Sequence, residues 1–465
     1  MKKKLLISLI SMLLIVVVLL SACAKTPTAT TTPTQATTKT PTATVPPLKT
    51  LKIGSLLSLN NPQFIQAKKW SDLYAKLIND AGGWKIGKDT YKIEFVIYDI
   101  QSGAAAAKDA LTKLVLQDGV KFIMGGTGSP AVDITVTEPN HVIVIGNDLT
   151  NDSAMPNVQY YYTTGNFFAS ALVFKICKDM TDKDVKSYVS VKPDSQMGRF
   201  FDPQIDAAWN IASKGSVKKL GTIFVDPSTV DYGPVATKVL SYNPDCVDMI
   251  YLGMIPNSVP NMYRALADAG YKGTVLPGIA SINDVANLAT MVGKEFIEGG
   301  EVFSQDPTGY QKDPRMLSLI DAYIKEYGML ETDNTAALGG MLLLEDAINA
   351  TQSVDVEVIK AYLDNMDHAV RTTTGFVQLF ARPDLNNFRT ISGGNSHPVA
   401  RITDGVLKNF SQVTMKDQYL FSIMANNLVD TYKAYWVKYG YPKFPAEEAA
   451  ASSLHFSDLG ITGQD

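Results

Sequence analysis

Cysteine and histidine are nearly absent: the 465 residues hold three cysteines and four histidines. His141, His368, His397 and His455 are scattered and show none of the spacings typical of a zinc site. No G-x-S-x-G elbow and no P-loop occurs, so the common hydrolase and nucleotide-phosphate motifs are missing. Lys plus Arg (42) and Asp plus Glu (46) leave a net charge of −4. No basic run lies beyond the first residues, which argues against nucleic acid as a partner. Past residue 23 no apolar run is long enough to span a bilayer. Of the cysteines, Cys177 and Cys246 lie within the globular part, where buried thiols and a disulfide are both open readings.

What is present begins at the N-terminus. Lys2, Lys3 and Lys4 precede an uninterrupted apolar stretch over residues 5–20, and Leu20-Ser21-Ala22-Cys23 closes it. This is the layout of an export signal. The ending resembles a bacterial lipoprotein box, which implies cleavage before Cys23, a lipid on its sulfur, and a place on the extracytoplasmic face of a membrane. Residues 24–50 are almost wholly Thr, Pro, Ala and Lys. They cannot bury enough surface to offset ordering entropy and read as an extended tether, about 3 Å per residue.

About 415 residues follow, more than one ordinary core holds, so two lobes are expected. Hydrophobic content of 46% and charged content of 19% suit a globular chain. Strands over 51–57, 91–98, 121–125 and 142–145 alternate with helical segments over 63–81, 104–117 and 130–138. After Tyr160-Tyr161-Tyr162-Thr163-Thr164-Gly165 the alternation restarts, with strands over 185–191, 217–225, 247–252 and 273–276. Such alternation predicts an α/β fold of two doubly wound parallel-sheet lobes. The remainder reads as helices, short strands over 375–380 and 399–402, and one last helix over 416–437. In that helix Leu420, Met424, Leu428, Tyr432, Tyr435, Trp436 and Tyr439 recur at helical spacing.

In doubly wound sheets ligands bind beyond the carboxyl ends of the strands. The strongest candidate there is the turn Gly125-Gly126-Thr127-Gly128-Ser129-Pro130. Glycines allow a tight turn, Ser129 is a good N-cap, Pro130 suits the first helical position, and open N–H groups at a helix start favour a carboxylate. The same turn superficially suggests a dinucleotide fingerprint but lacks its spacing. The turns holding Asn147, Asp148, Leu149 and Thr150, and Ser58, Asn60, Asn61 and Phe64, offer further polar groups at the same edge. Each also reads as an ordinary surface turn.

The chain resembles the substrate-binding proteins of ABC importers, in the branched-chain amino acid receptor family with the type I periplasmic fold. The resemblance rests on Leu51-Lys52-Ile53-Gly54, Ile78-Asn79-Asp80-Ala81-Gly82-Gly83, Tyr98-Asp99-Ile100-Gln101-Ser102, Gln117-Asp118-Gly119-Val120, Asn243-Pro244-Asp245 and Ile297-Glu298-Gly299-Gly300. It implies two lobes joined by three crossings that close on a ligand without chemistry. With it come expected boundaries: signal 1–22, linker 23–50, lobe one 51–164 plus 302–374, lobe two 165–301 plus 375–410, and a helical extension 411–465. The resemblance implies that Thr127, Gly128 and Ser129 hold a ligand carboxylate, that Leu149-Thr150 matches a pair whose threonine contacts the ligand's polar end, and that Phe64 or Gln63 falls near an aromatic of the first loop. Met197, Met254, Pro256, Ala280 and Ser281 are expected on the opposite wall.

Two departures bear on the ligand. Met197 stands before Gly198 where the family has a tyrosine, and Ile279-Ala280-Ser281 stands where an acidic residue would meet an ammonium group. A buried ammonium without a carboxylate is costly. Either Asp148 or another acid substitutes, or the ligand is a neutral or aromatic carboxylate. The expectation is a non-enzymatic, cofactor-free solute receptor, anchored through Cys23, that delivers to a membrane permease. A ligand sensor for a signalling partner is the alternative.

Overall fold

The computed structural model describes residues 48–60, 62–100, 104–125, 130–146, 158–163, 171–252, 257–277, 282–303, 311–330, 335–385 and 396–464. Its first unit is a six-stranded sheet in the order β2-β3-β1-β4-β5-β6. The strands are β1 (Lys49–Leu57), β2 (Trp84–Ile86), β3 (Asp89–Asp99), β4 (Phe122–Met124), β5 (Ile143–Gly146) and β6 (Tyr161–Thr163). The connecting helices are α1 (Pro62–Asp80), α2 (Ala104–Leu116) and α3 (Pro130–Thr137). Every pairing is parallel except β2 with β3, a short hairpin that the reading of residues 91–98 as a lone strand missed.

Parallel strands covered on both faces read as near-continuous apolar runs, and β1 does so for that reason. Leu51 and Ile53 face one core with Trp70, Tyr74 and Phe122, while Leu56 faces another with Leu111, Leu114 and Ile123. Gly54 permits the close approach of α2, since a Cβ there would meet Val120 at 3.0 Å and Leu114 at 3.2 Å.

The second unit is a parallel sheet in the order β10-β9-β7-β8. It comprises α4 (Ala171–Asp182), β7 (Ser187–Pro193), α5 (Gln196–Ser213), β8 (Lys218–Val225), α6 (Gly233–Tyr242), β9 (Cys246–Asp248), α7 (Ser258–Asp268), β10 (Thr274–Leu276), α8 (Ile282–Val292) and α9 (Lys294–Ile297). Cys177 and Cys246 are buried free thiols, and burial pushes both well up from the ordinary thiol value.

The chain then passes between the units again. β11 (Glu301–Phe303) pairs with β14 (His397–Thr403), which pairs with β15 (Val406–Val413), all antiparallel. Asp404 and Gly405 join β14 and β15 with φ of 56° and 74°, the positive pair that an Asp-Gly hairpin turn needs. Between β11 and β14 lie α10 (Pro314–Tyr327), α11 (Thr335–Thr351), α12 (Val356–Asn365) and the small pair β12 (Val370–Arg371) and β13 (Phe376–Val377). Their residues Met316, Tyr323, Leu342, Ile359 and Leu379 belong to the first unit's core, whereas Phe380 belongs to a second-unit core. Along the chain, membership passes from the first unit's cores to the second's between Tyr162 and Val173, back between Ile297 and Met316, and over again at Leu379–Phe380.

The C-terminal helix expected over 416–437 is two helices, α13 (Met415–Ala425) and α14 (Val429–Tyr439), followed by α15 (Ala446–Ala451). They break at Asn426-Asn427-Leu428, where Asn427 takes φ 56°, a left-handed conformation that asparagine tolerates. The helical spacing survives the break because Leu420, Tyr432 and Trp436 face one core with Leu428 packed against it.

Candidate functional site

Parallel strands bring their carboxyl ends to one edge, and the side-chain links near that edge decide how the loops leave it. In the first unit Ser55 Oγ donates to the Met124 carbonyl at 3.0 Å, tying β1 two residues before its end to the last residue of β4. The Ile100 amide donates to the Leu57 carbonyl at 3.0 Å, and the Leu59 amide donates to Asp99 Oδ1 at 3.1 Å, joining the ends of β1 and β3. Gly125, with φ 75°, turns the chain out of β4 while its amide holds the Ile145 carbonyl at 2.9 Å.

Ser58 is buried at this edge, Asn60 is exposed, and Phe64 is half-buried on α1. The register Ser55↔Met124 and Met124↔Ile145 places the starts of all three expected loops on neighbouring strands. Asn61, Thr127, Gly128, Ser129, Asn147, Asp148, Leu149 and Thr150 lie outside the described residues, as does Cys23.

The second unit's edge is built on charge. Lys192, near the end of β7, and Asp248, at the end of β9, are both fully buried and paired at 2.9 Å. Lys192 Nζ also donates to the Ile250 carbonyl at 2.9 Å. Asp248 accepts from the Ile250 amide at 2.9 Å and from Trp209 Nε1 at 3.3 Å. Taking two charges out of water is unfavourable unless their remaining groups are satisfied, and these hydrogen bonds do that. Their effect is to clamp the turn after β9.

Tyr251 follows with φ 72°, a conformation costly for a tyrosine, and stacks on Phe201 with centroids 4.1 Å apart. Burial pushes its phenol above the ordinary tyrosine value.

At the end of β7, Ser195 caps α5, its Oγ accepting the Gly198 amide at 3.1 Å. A Cβ at position 198 would come within 2.0 Å of the Pro193 carbonyl, so only glycine lets the helix begin this close to the strand. Met197 sits in that first turn. Met254, Pro256, Ala280 and Ser281 lie outside the described residues, following the ends of β9 and β10.

Lys192, Asp248, Trp209 and Tyr251 are supports that the sequence reading missed. The available signal was a lysine and an aspartate each closing an otherwise apolar strand. At the opposite edge, Tyr160 donates to Glu357 Oε1 at 2.7 Å and His141 Nδ1 lies 2.7 Å from the same oxygen. His141 and Glu357 are both exposed, so this group belongs to the surface rather than to the strand-end loops. Among the described residues no group of three metal-ligating side chains occurs, and no helix is long and apolar enough to cross a membrane.

The comparisons with known proteins agree with this architecture. A family model described as "Periplasmic binding protein" matches residues 50–390. A branched-chain amino acid transporter substrate-binding protein from Streptococcus pneumoniae, solved with isoleucine, is similar at 19% identity and TM-score 0.59. The match covers 77% of this chain and 98% of that one. A solute-binding protein from R. palustris, solved with 4-hydroxybenzoate, shares 18% identity at TM-score 0.59, covering 78% and 97%. A leucine-binding protein from Thermotoga maritima shares 15% identity at TM-score 0.58, covering 78% and 98%.

Proposed function

The chain belongs to the periplasmic binding protein family, and from that premise we propose that it is a lipid-anchored extracytoplasmic solute receptor serving an ABC permease. It binds a small carboxylate-bearing ligand between lobe one (51–164 plus 302–374) and lobe two (165–301 plus 375–410). Cys23 carries the lipid and residues 24–50 are the tether. The single observation that carries this reading is the convergence of the β1, β4 and β5 ends on one edge, with a second set of strand ends held by Lys192 and Asp248. Binding there needs no chemistry, only closure of one lobe on the other.

Ser129 and its neighbours hold the carboxylate and Thr150 contacts the polar end of the ligand. Because Ile279-Ala280-Ser281 supplies no acid for an ammonium group, the ligand is an aromatic or other non-amino carboxylate, or else an amino acid whose ammonium meets Asp148 or another acid. Related folds have been solved with benzoate, with 4-hydroxybenzoate and with isoleucine, so both ligand classes enter the test. That test is a thermal-shift screen of the protein against isoleucine, leucine, benzoate and 4-hydroxybenzoate. A ligand at about a hundredfold over Kd stabilises the folded state by about 2.7 kcal/mol. The expected result is a raised Tm with the aromatic acids, lost in the double variant Ser129→Ala, Thr150→Ala, whose own unliganded Tm stays near the parent's. Preference for isoleucine or leucine would select the amino acid class instead, and affinity surviving both substitutions would overturn the site.

A further inference from the structure

The C-terminal segment, most of which lies beyond the family match ending at residue 390, belongs to one unit by its core and reaches the other by its polar groups. Tyr432, Trp436, Phe456 and Leu459 pack into the second unit's core with Tyr188 and Trp209. Asp417, buried in α13, accepts from Ser452 Oγ at 2.8 Å and from the Ser453 and Leu454 amides at 2.7 Å, so the end of the segment is stitched back to its start.

From this fixed base, residues 443–448 extend across the crossing. Gln378, between the first-unit Val377 and the second-unit Phe380, donates Nε2 to the Lys443 carbonyl at 3.1 Å. Lys443 Nζ donates to Asp367 at 3.3 Å, just beyond α12 of the first unit. Glu447 pairs with Arg371 of β12, whose guanidinium also lies over the Phe376 ring. Buried Glu448 accepts from Ser396 Oγ at 2.5 Å and from the Met415 amide at 2.6 Å, fastening α15 to the start of α13 and to the chain that returns into β14. Between these links lies a cavity of about 210 Å³ lined by Lys312, Arg371, Gln412 and Glu447. On the second-unit side the span is anchored by Phe444, packed on Phe380 and Tyr419, while its reach to the first unit is carried by polar bonds beside the cavity.

We infer that residues 443–448 are a strap across the hinge, holding the two lobes at a set spread and so governing how readily they close. The inference rests on the receptor reading above. A tenfold shift between two hinge states takes only about 1.4 kcal/mol, which reversal of two charged links supplies. The exposed links at Lys443 and Glu447 thus adjust a balance between the two hinge states.

The test is an interlobe distance measured by pulsed electron paramagnetic resonance in the full chain. Spin labels go on Asp109→Cys in α2 and Lys238→Cys in α6, both exposed, with Cys23→Ser and the buried cysteines left in place. The parent should give one narrow distance distribution. K443E with E447K should lose that single peak, and adding D367K with R371E should restore it. A distribution that stays superimposed on the parent's in the folded K443E/E447K protein overturns the strap. Should that protein not fold, D367N with R371Q breaks the same links from the first unit and is judged by the same criterion. The outcome is independent of the ligand screen: an unmoved distance with a ligand found removes the strap alone, whereas failure of every carboxylate to bind removes the receptor reading.

Discussion

The two sheet units bury very different material. The first unit's cores are apolar apart from a few hydroxyl groups, Asp133 and the Gln311 amide. The second unit, with the C-terminal segment packed on it, buries Lys192, Asp248, Glu301, Lys416, Asp417 and Glu448. Lys192 with Asp248 is, among the described residues, the ion pair with both partners fully buried. An apolar core is non-directional and tolerates adjustment, whereas buried charges demand particular partners at particular distances. The difference teaches that one wall of the proposed cleft is shaped by packing and the other by a few directional bonds.

The comparison is broken most severely at Asp248. Asp248→Ala leaves Lys192 charged and unpaired in a dry site and should cost about 3–5 kcal/mol in urea denaturation. Replacing Lys192 with Met and Asp248 with Leu together should recover much of that loss, because an apolar pair of similar volume avoids the desolvation cost. In the first unit the matching change is Leu114→Ala, a fully buried side chain. It should cost about 2–5 kcal/mol through lost burial and a cavity, with no partner change able to restore it.

Next in size is a pH effect confined to the second unit. Burial pushes the Glu448 carboxyl up to about 7 from the ordinary 4.5. Below 4.5 both folded and unfolded states hold the proton. As pH rises from there to about 7 the unfolded state releases it first, so stability falls, by about 3 kcal/mol at most. Glu448→Gln keeps one acceptor for the Met415 amide and should flatten that slope in denaturation curves taken between pH 5 and 8.

The smallest effect is expected at Lys443→Ala. Lys443 and Asp367 are both largely exposed, so the loss of stability should stay within about 0.5 kcal/mol even where the interlobe distance changes.

The first unit was the more legible one. Runs such as Leu51-Lys52-Ile53-Gly54-Ser55-Leu56-Leu57 announce a strand covered on both sides, and Asn60-Asn61-Pro62 after β1, Gly125 after β4 and Gly146 closing β5 announce strand-end turns. The β2–β3 hairpin escaped because Trp84-Lys85-Ile86 is too short to show a period. In the second unit, Lys192 and Asp248 read as polar punctuation at strand ends, and nothing local reveals that each is the other's partner 56 residues away.

Helix α13 gives the sharpest contrast. Met415, Lys416, Asp417, Gln418, Tyr419, Leu420, Phe421, Ser422 and Ile423 are all buried, although the charged and amide positions read as a solvent face. Local chemistry along the chain was enough for the alternation of strands and helices, the glycine turns and the family, because backbone geometry and side-chain period are properties of neighbours in sequence. Which charges are buried, where the last helix breaks and what the C-terminal segment grips depended on residues far apart in the chain. Burial and pairing exist only between groups that folding brings together.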